Sequence, residues 1–394
     1  MKVVRPFLKV GDSNRKRAVV AVQVGVMLVT LLAFAALSID VGAMYNARGD
    51  LQRAADVAAL AGATSYVEDT MLQVRLNPDG GEISEVLSAT ITRVNELAAE
   101  NASFGVDTTL IEGGDITTGW IDVTSGTSPI QVAGSSDAYN AVQVVAKRTA
   151  EGLNGSIALY FAPIFGITLS ETEVTATAVF DDHVAGFSPG EDPGILMPFS
   201  IHEDLFDSEI TVGSDEYSYD SDDDEIESDP DGLPEIKLFP WTSTPGNFGL
   251  LNIGLPSMGA PGLADHIENG VPPEDLEAEI GTDVLTFYDW EGDPVTYDIG
   301  GDPGMTVSLT AAIETRVGDV VAFLLHNAVN YPGANAVYTV TDVRFGRVMK
   351  IKLTGSPTSK TFLIQPVSYA GPGVVVDPNA PSSNGLAGRL KLAR

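Results

Sequence analysis

Residues 18–39 read AVVAVQVGVMLVTLLAFAALSI, and the architecture is decided by this stretch. It holds no charged residue, and its polar members are Gln23, Thr30 and Ser38. About 22 residues rising ~1.5 Å each span ~33 Å, which matches the ~30 Å hydrocarbon core of a bilayer. Arg15, Lys16 and Arg17 stand just before it and Asp40 just after. Because basic flanks stay on the cytoplasmic side, this order predicts a single-pass helix with its N-terminus cytoplasmic and the bulk of the chain outside. Two other readings compete. Ala33-Phe34-Ala35 matches the small-x-small pattern of a signal-peptide cleavage site, but the apolar run is longer than the usual core of such a peptide and the helical pattern continues past the cut. A buried core helix suits a basic cluster followed by an uncharged run of this length less well than a bilayer does.

Composition narrows the rest. The 394 residues include 54 acidic and 22 basic ones, for a formal net charge of -32. So acidic a surface repels phosphate backbones, which disfavours nucleic acid as a partner. Cysteine is absent, so disulfides, zinc–thiolate sites and cysteine nucleophiles are excluded. The charge is also uneven. Lys2, Arg5, Lys9, Arg15, Lys16 and Arg17 precede the apolar run, and between Arg148 and Arg316 the only basic residue is Lys237.

Beyond Asp40 the sequence continues VGAMYNARGDLQRAADVAALAGATSY. Leu51, Ala54, Ala55, Ala58, Ala59 and Gly62 recur at helical spacing and form a stripe of mostly small side chains. Small residues let another helix approach closely, so the stripe is expected to pack against like helices of other subunits or on its own domain. Gly42 and Gly49 weaken the helix locally, but the Ala-rich surroundings compensate, and one long rod is expected.

Asp40-Val41-Gly42, Tyr45, Leu51-Gln52, Ala54-Ala55-Asp56 and the run Ala58-Ala59-Leu60-Ala61-Gly62-Ala63 carry a family resemblance. With the basic flank and apolar helix before them, they resemble the N-terminal domain of TadG-like proteins of the tight-adherence (Flp) pilus system. The resemblance covers about an eighth of the chain and implies an inner-membrane-anchored envelope protein linked to pilus assembly or secretion. Many such proteins carry a von Willebrand factor A domain with an Asp-x-Ser-x-Ser metal motif, which Asp122-Val123-Thr124-Ser125-Gly126 lacks. Gly11 and Gly25 are followed five residues on by Lys16 and Thr30, where processed pilins place Glu, so an unprocessed, pilus-associated protein fits better.

The remainder reads as α+β with β-rich antiparallel domains. A turn at 77–81 precedes an amphipathic helix over 82–102, and strands are expected at 116–123, 130–133, 141–149 and 172–180. The apolar stretch 158–165 is a helical turn or connecting strand. Together these make an α+β, pilin-like domain over 67–182. Residues 183–236 concentrate acids and read as a solvated loop or linker, apart from ILMPFSI at 195–201, which reads as one buried strand or edge. Within them Asp220, Asp222, Asp224 and Asp231 occupy positions 1, 3, 5 and 12 of an EF-hand-like calcium loop, although Glu225 stands where Gly is needed and Asp231 where Glu is needed. A β-rich domain over 237–376 follows, in which Trp241, Phe248, Leu250 and Leu251 mark a loop-rich surface. It includes helices over 272–280 and 308–315 and strands at 320–325, 336–343, 348–353 and 361–367, with a tight hairpin at Arg344-Phe345-Gly346-Arg347, forming a small sheet or partly closed barrel. Residues 377–394 read as a flexible tail.

Signatures of catalysis are missing: there is no GxxxxGK[ST] or GxGxxG, and Gly186-Phe187-Ser188-Pro189-Gly190, although spaced GxSxG, reads as loop chemistry rather than a nucleophile elbow. Asp181-Asp182-His183 is explained by a strand-end turn, and His326 by a satisfied strand residue. The expected function is non-enzymatic and without cofactor. The chain reads as a membrane-anchored structural component of a pilus-assembly or secretion apparatus, with the lipid bilayer, other pilus or secretion proteins and copies of itself as partners. The alternative is an envelope adhesin or calcium-responsive binding module that shares only the anchor, with a hydrolase as a third reading.

Overall fold

The computed structural model describes residues 12–77, 82–125, 129–221, 223–239, 247–330, 336–356 and 359–393. The basic residues up to Lys9, most of the 77–81 turn, Asp222 and Trp241 lie outside the described residues.

Helix α1 (Asp12–Thr64) is one unbroken element of 53 residues, about 80 Å long at ~1.5 Å per residue. Neither Gly42 nor Gly49 interrupts it, because the flanking turns are held by tertiary packing, which outweighs a glycine's lower helix propensity. A 3-10 turn (Ser65–Val67) with Tyr66 fully buried leads into α2 (Asp69–Leu76) and the amphipathic α3 (Ile83–Ala99). A short hairpin, β1 (Ala102–Ser103) and β2 (Val106–Asp107), precedes β3 (Ile116–Gly119) and β4 (Ala141–Arg148). A second hairpin, β5 (Ile157–Ala158) and β6 (Leu169–Ser170), leads into β7 (Thr172–Asp181). Strands β3, β4 and β7 pair antiparallel, and alternation along β4 turns Val142, Val144 and Ala146 inward into one core with α1 and α3. Around Gln131 the expected strand is reduced to a single bridge with Trp120.

The second body begins with β8 (Val184–Phe187) and β9 (Leu196–His202), then α4 (Glu203–Val212), the hairpin β10 (Ser218–Asp220) and β11 (Glu225–Glu227), and β12 (Ile236–Phe239). Next come β13 (Phe248–Leu251), α5 (Ala260–Asn269), α6 (Pro273–Ile280), β14 (Leu285–Thr286) and β15 (Tyr297–Asp302). Then follow α7 (Thr310–Glu314), β16 (Val320–Asn330), β17 (Ala336–Lys352), β18 (Thr361–Pro366) and β19 (Val374–Val376). Seven strands run in the order β12-β18-β17-β15-β13-β9-β16, and β16 also pairs with β17, which closes part of the sheet into a ring. Its two faces bury separate cores. Along β16, Val321, Phe323 and Leu325 enter one cluster while Ala322 and Leu324 enter the other.

Three expectations are corrected here. Residues 183–236 are not a linker: β9 sits inside the seven-stranded sheet, and Leu205, Phe206, Leu233 and Ile236 are buried. The acidic run folds because its carboxylates accept backbone amides. Glu235 accepts from Glu216 and Tyr217 (2.9 Å each), and Asp215 accepts from Asp231 (3.0 Å) and Gly232 (2.9 Å). Second, Arg344-Phe345-Gly346-Arg347 is no hairpin but the middle of β17. Gly346 serves close approach there, since a Cβ would lie 3.0 Å from the Gln365 carbonyl and 3.2 Å from Ile364. Third, the tail is a strand: β20 (Arg389–Ala393) returns to the first sheet and pairs with β7 from Arg389↔Asp181 to Ala393↔Thr177, giving the order β20-β7-β4-β3.

Candidate functional site

Helix α1 has two halves in different surroundings. From Val19 to Ile39 every side chain but a partly covered Ala36 is exposed: Met27 is 68 % exposed, Leu31 67 % and Phe34 64 %. This segment is long and apolar enough to cross a membrane. Burial starts at Asp40 and then follows one helical face through Ala43, Ala47, Leu51, Ala54, Ala55, Ala58, Ala59 and Ala63. Small side chains are needed along this face because the helix lies directly on β4, β7 and α3. At Gly62 an added Cβ would strike the Val94 side chain and approach Val142 to 3.3 Å.

Polar contacts pin the start and the middle of the seat. Asp40 is buried, and its carboxylate accepts three successive backbone amides, from Tyr160 (2.7 Å), Phe161 (3.0 Å) and Ala162 (2.6 Å). Burial alone pushes its pKa up, but the three amide donors outweigh that and hold the carboxyl below its ordinary value. Two turns further on, Arg48 donates to the Thr172 hydroxyl and the Glu173 carbonyl, both at 3.1 Å. Gln52 bridges Asp56 (2.8 Å) and the Thr175 carbonyl (3.2 Å). In the sequence Asp40 was visible as the end of the apolar span and as part of the Asp40-Val41-Gly42 resemblance, but not as a buried partner of a distant loop. Its partners lie 120 residues or more away, and the only local sign of them is the apolar 158–165 stretch.

The packing stripe, Leu51, Ala54, Ala55, Ala58, Ala59 and Gly62, is therefore brought together, but within one chain. All but Gly62 belong to its hydrophobic residues at 1 % exposure or less, and of the two readings of the stripe, like helices of other subunits or its own domain, the structure has the second: the chain's own α3 and sheet occupy that face. Of the four acids in the calcium set Asp222 lies outside the described residues; Asp220 ends β10, which pairs with β11, and Asp224, just before β11, accepts from the Tyr219 hydroxyl at 2.7 Å. Asp231 instead accepts from Gln365 Nε2 (3.1 Å) and the Leu233 amide (2.9 Å).

Among the described residues, two acid-rich groups come close enough to share an ion: Asp181, Asp182 and His183, and Asp289, Glu291 and Asp293. In the first, Asp181 pairs with Lys391 and accepts from the His183 amide. In the second, Asp289 accepts the amides of Glu291 and Asp293, the hydrogen bonding of a turn. His326 is fully buried against Ser200 Oγ at 2.6 Å.

With both halves of α1 in view, the comparison with known families is direct. Residues 19–65 match the family model described as putative Flp pilus-assembly TadE/G-like. The N-terminal segment is a TadE/G-like domain. No curated protein and no solved structure matches the chain. The TadE/G-like segment coincides with the described, bare half of α1 and the buried stripe together, and it stops where the helix tightens into its 3-10 turn. The two β-rich bodies fall outside the match.

Proposed function

We propose that this chain is a membrane-anchored, non-enzymatic component of a Tad/Flp-type pilus-assembly or secretion apparatus. The observation that carries the reading is the continuity of α1: a bare apolar half runs without a break into the helix that seats the folded domain, inside the TadE/G-like match. Anchor and domain are then one mechanical piece. The basic cluster before the span supports an orientation with the N-terminus in the cytoplasm and the β-rich bodies outside it, available to other pilus or secretion proteins.

The test uses the full chain in a bacterium that makes Tad-type pili. The protein stays in the membrane fraction through an alkaline wash, whereas Val24→Asp with Leu28→Asp and Leu31→Asp releases it. Deleting the gene abolishes or sharply reduces pili. A chain that washes off, or a deletion strain with normal pili, refutes the proposal.

A further inference from the structure

The β5–β6 hairpin carries a feature that the anchor alone does not explain. Residues 152–170, between Glu151 and Glu171, contain no charged residue in a chain of net charge -32. Within this stretch the side chains of Tyr160 (62 %), Ile164 (78 %), Phe165 (76 %), Ile167 (57 %) and Leu169 (54 %) stand exposed. Exposed apolar residues elsewhere on the folded bodies, such as Val132, Val212 and Trp290, are scattered singly, as on any protein surface. A dense apolar loop on so acidic a surface calls for a specific occupant.

The position of the loop names that occupant. Asp40, the residue directly after the apolar span, holds the amides of Tyr160, Phe161 and Ala162. The loop backbone is thereby fixed at the level where α1 leaves its uncharged stretch. Its shape is also set: Pro163 lies in the first turn of the 3-10 helix Ala162–Phe165, Gly166 ends that turn at φ 84°, and β5–β6 pairing closes the base. Tyr45, 72 % exposed one to two turns beyond Asp40, and Tyr160 place phenols at the same end, as in the aromatic belts of membrane proteins.

Resting on the anchor reading, we infer that this hairpin loop is a second membrane contact: Ile164, Phe165 and Ile167 insert into the interfacial layer of the leaflet that α1 leaves at Asp40, with lipid headgroups and upper acyl chains as the ligand. Insertion at this shallow depth needs apolar side chains without charge, which the loop provides. Two contacts with one bilayer fix the tilt and rotation of the domain, which a single helix leaves free.

The absence of cysteine makes the test clean. Ile164→Cys, Leu28→Cys and Val212→Cys full-length proteins are labelled with the fluorophore NBD and reconstituted in phosphatidylcholine vesicles containing doxyl-labelled lipid. With the doxyl group near the headgroup, the label at position 164 is expected to lose about half its emission, as for an interfacial segment. The label at 28 responds to a doxyl group deep in the chain, and the label at 212 to neither. Quenching at 28 without quenching at 164 overturns the loop contact and leaves the anchor standing. No quenching at either position overturns the anchor reading, and this inference with it.

Discussion

Asp40 sits where the surroundings of α1 change, and one side chain joins two segments far apart in the chain. A carboxyl whose folded pKa lies below its ordinary value contributes stability that is complete above the unfolded value and is lost as pH falls through the folded one. The unfolded value is about 3.9, so Asp40→Asn is expected to be less stable than the wild type near neutral pH, with the difference shrinking below about pH 4. Urea midpoints of both proteins in nanodiscs across pH 2.5–7 check this, and a constant difference refutes it. Comparing the pair is necessary because burial raises Asp342, Asp231 and Glu235, which act with the opposite sign. The glycines of α1 give a second contrast. Gly62→Ala and Ala58→Leu overfill the seat on α3 and the sheet and should cost about 1–3 kcal/mol each. Nothing lies within 4 Å of a Cβ at Gly42 or Gly49, so Ala there should stabilise by about 0.5–1 kcal/mol. Denaturant unfolding decides both signs. In the sequence Gly62 was already recognisable as part of a small-residue stripe, but which surface filled that stripe was not, because a spacing pattern has no record of its partner.

At the level of elements, local pattern told most where local forces dominate. Helical period revealed α1 and α3, Pro with acids revealed α6, and apolar runs between turn signals revealed β4, β7, β16 and β18. Long-range pairing hid the remainder. The strand expected at 195–201 is β9, but the order of the acidic residues after it was hidden, because their carboxylates turn out to accept backbone amides. Gly346 reads equally as a turn or as a close approach inside a strand, and only the neighbouring Gln365 carbonyl decides between them. Strand β20 is short and carries Arg389 and Lys391, so nothing local separates it from a loose tail; its order comes from β7 and from the Lys391–Asp181 ion pair. Deleting residues 389–394 should therefore strip hydrogen-exchange protection from residues 177–181 while leaving the β16–β17 pairing protected. Unchanged exchange on β7 would count against β20 as a structural strand.

For the whole molecule, the bare half of α1 adds nothing to the burial of either body, since the described side chains before Ile39 are exposed apart from a half-covered Ala36. A chain starting at Ser38 should keep the urea midpoint of the full-length protein and stay in solution after centrifugation at high speed; precipitation, or a midpoint shifted downward, would show that the span supports the fold. The two bodies are meanwhile tied through Arg75, which lies 5.2 Å over the Phe180 ring and donates to the Tyr66 and Gly385 carbonyls. The return of β20 to β7 also has a consequence in time. Lys391 and Asp181 are 210 positions apart, and a ribosome adding ~5–20 residues per second takes about 10–40 s to cover that distance. Throughout this interval the nascent chain shows the open edge of β7 to every neighbouring polypeptide, a template for mispairing. Biogenesis, more than the finished protein, is thus the stage at which this architecture is vulnerable to aggregation, and a slowed or stalled synthesis would lengthen that exposure in direct proportion.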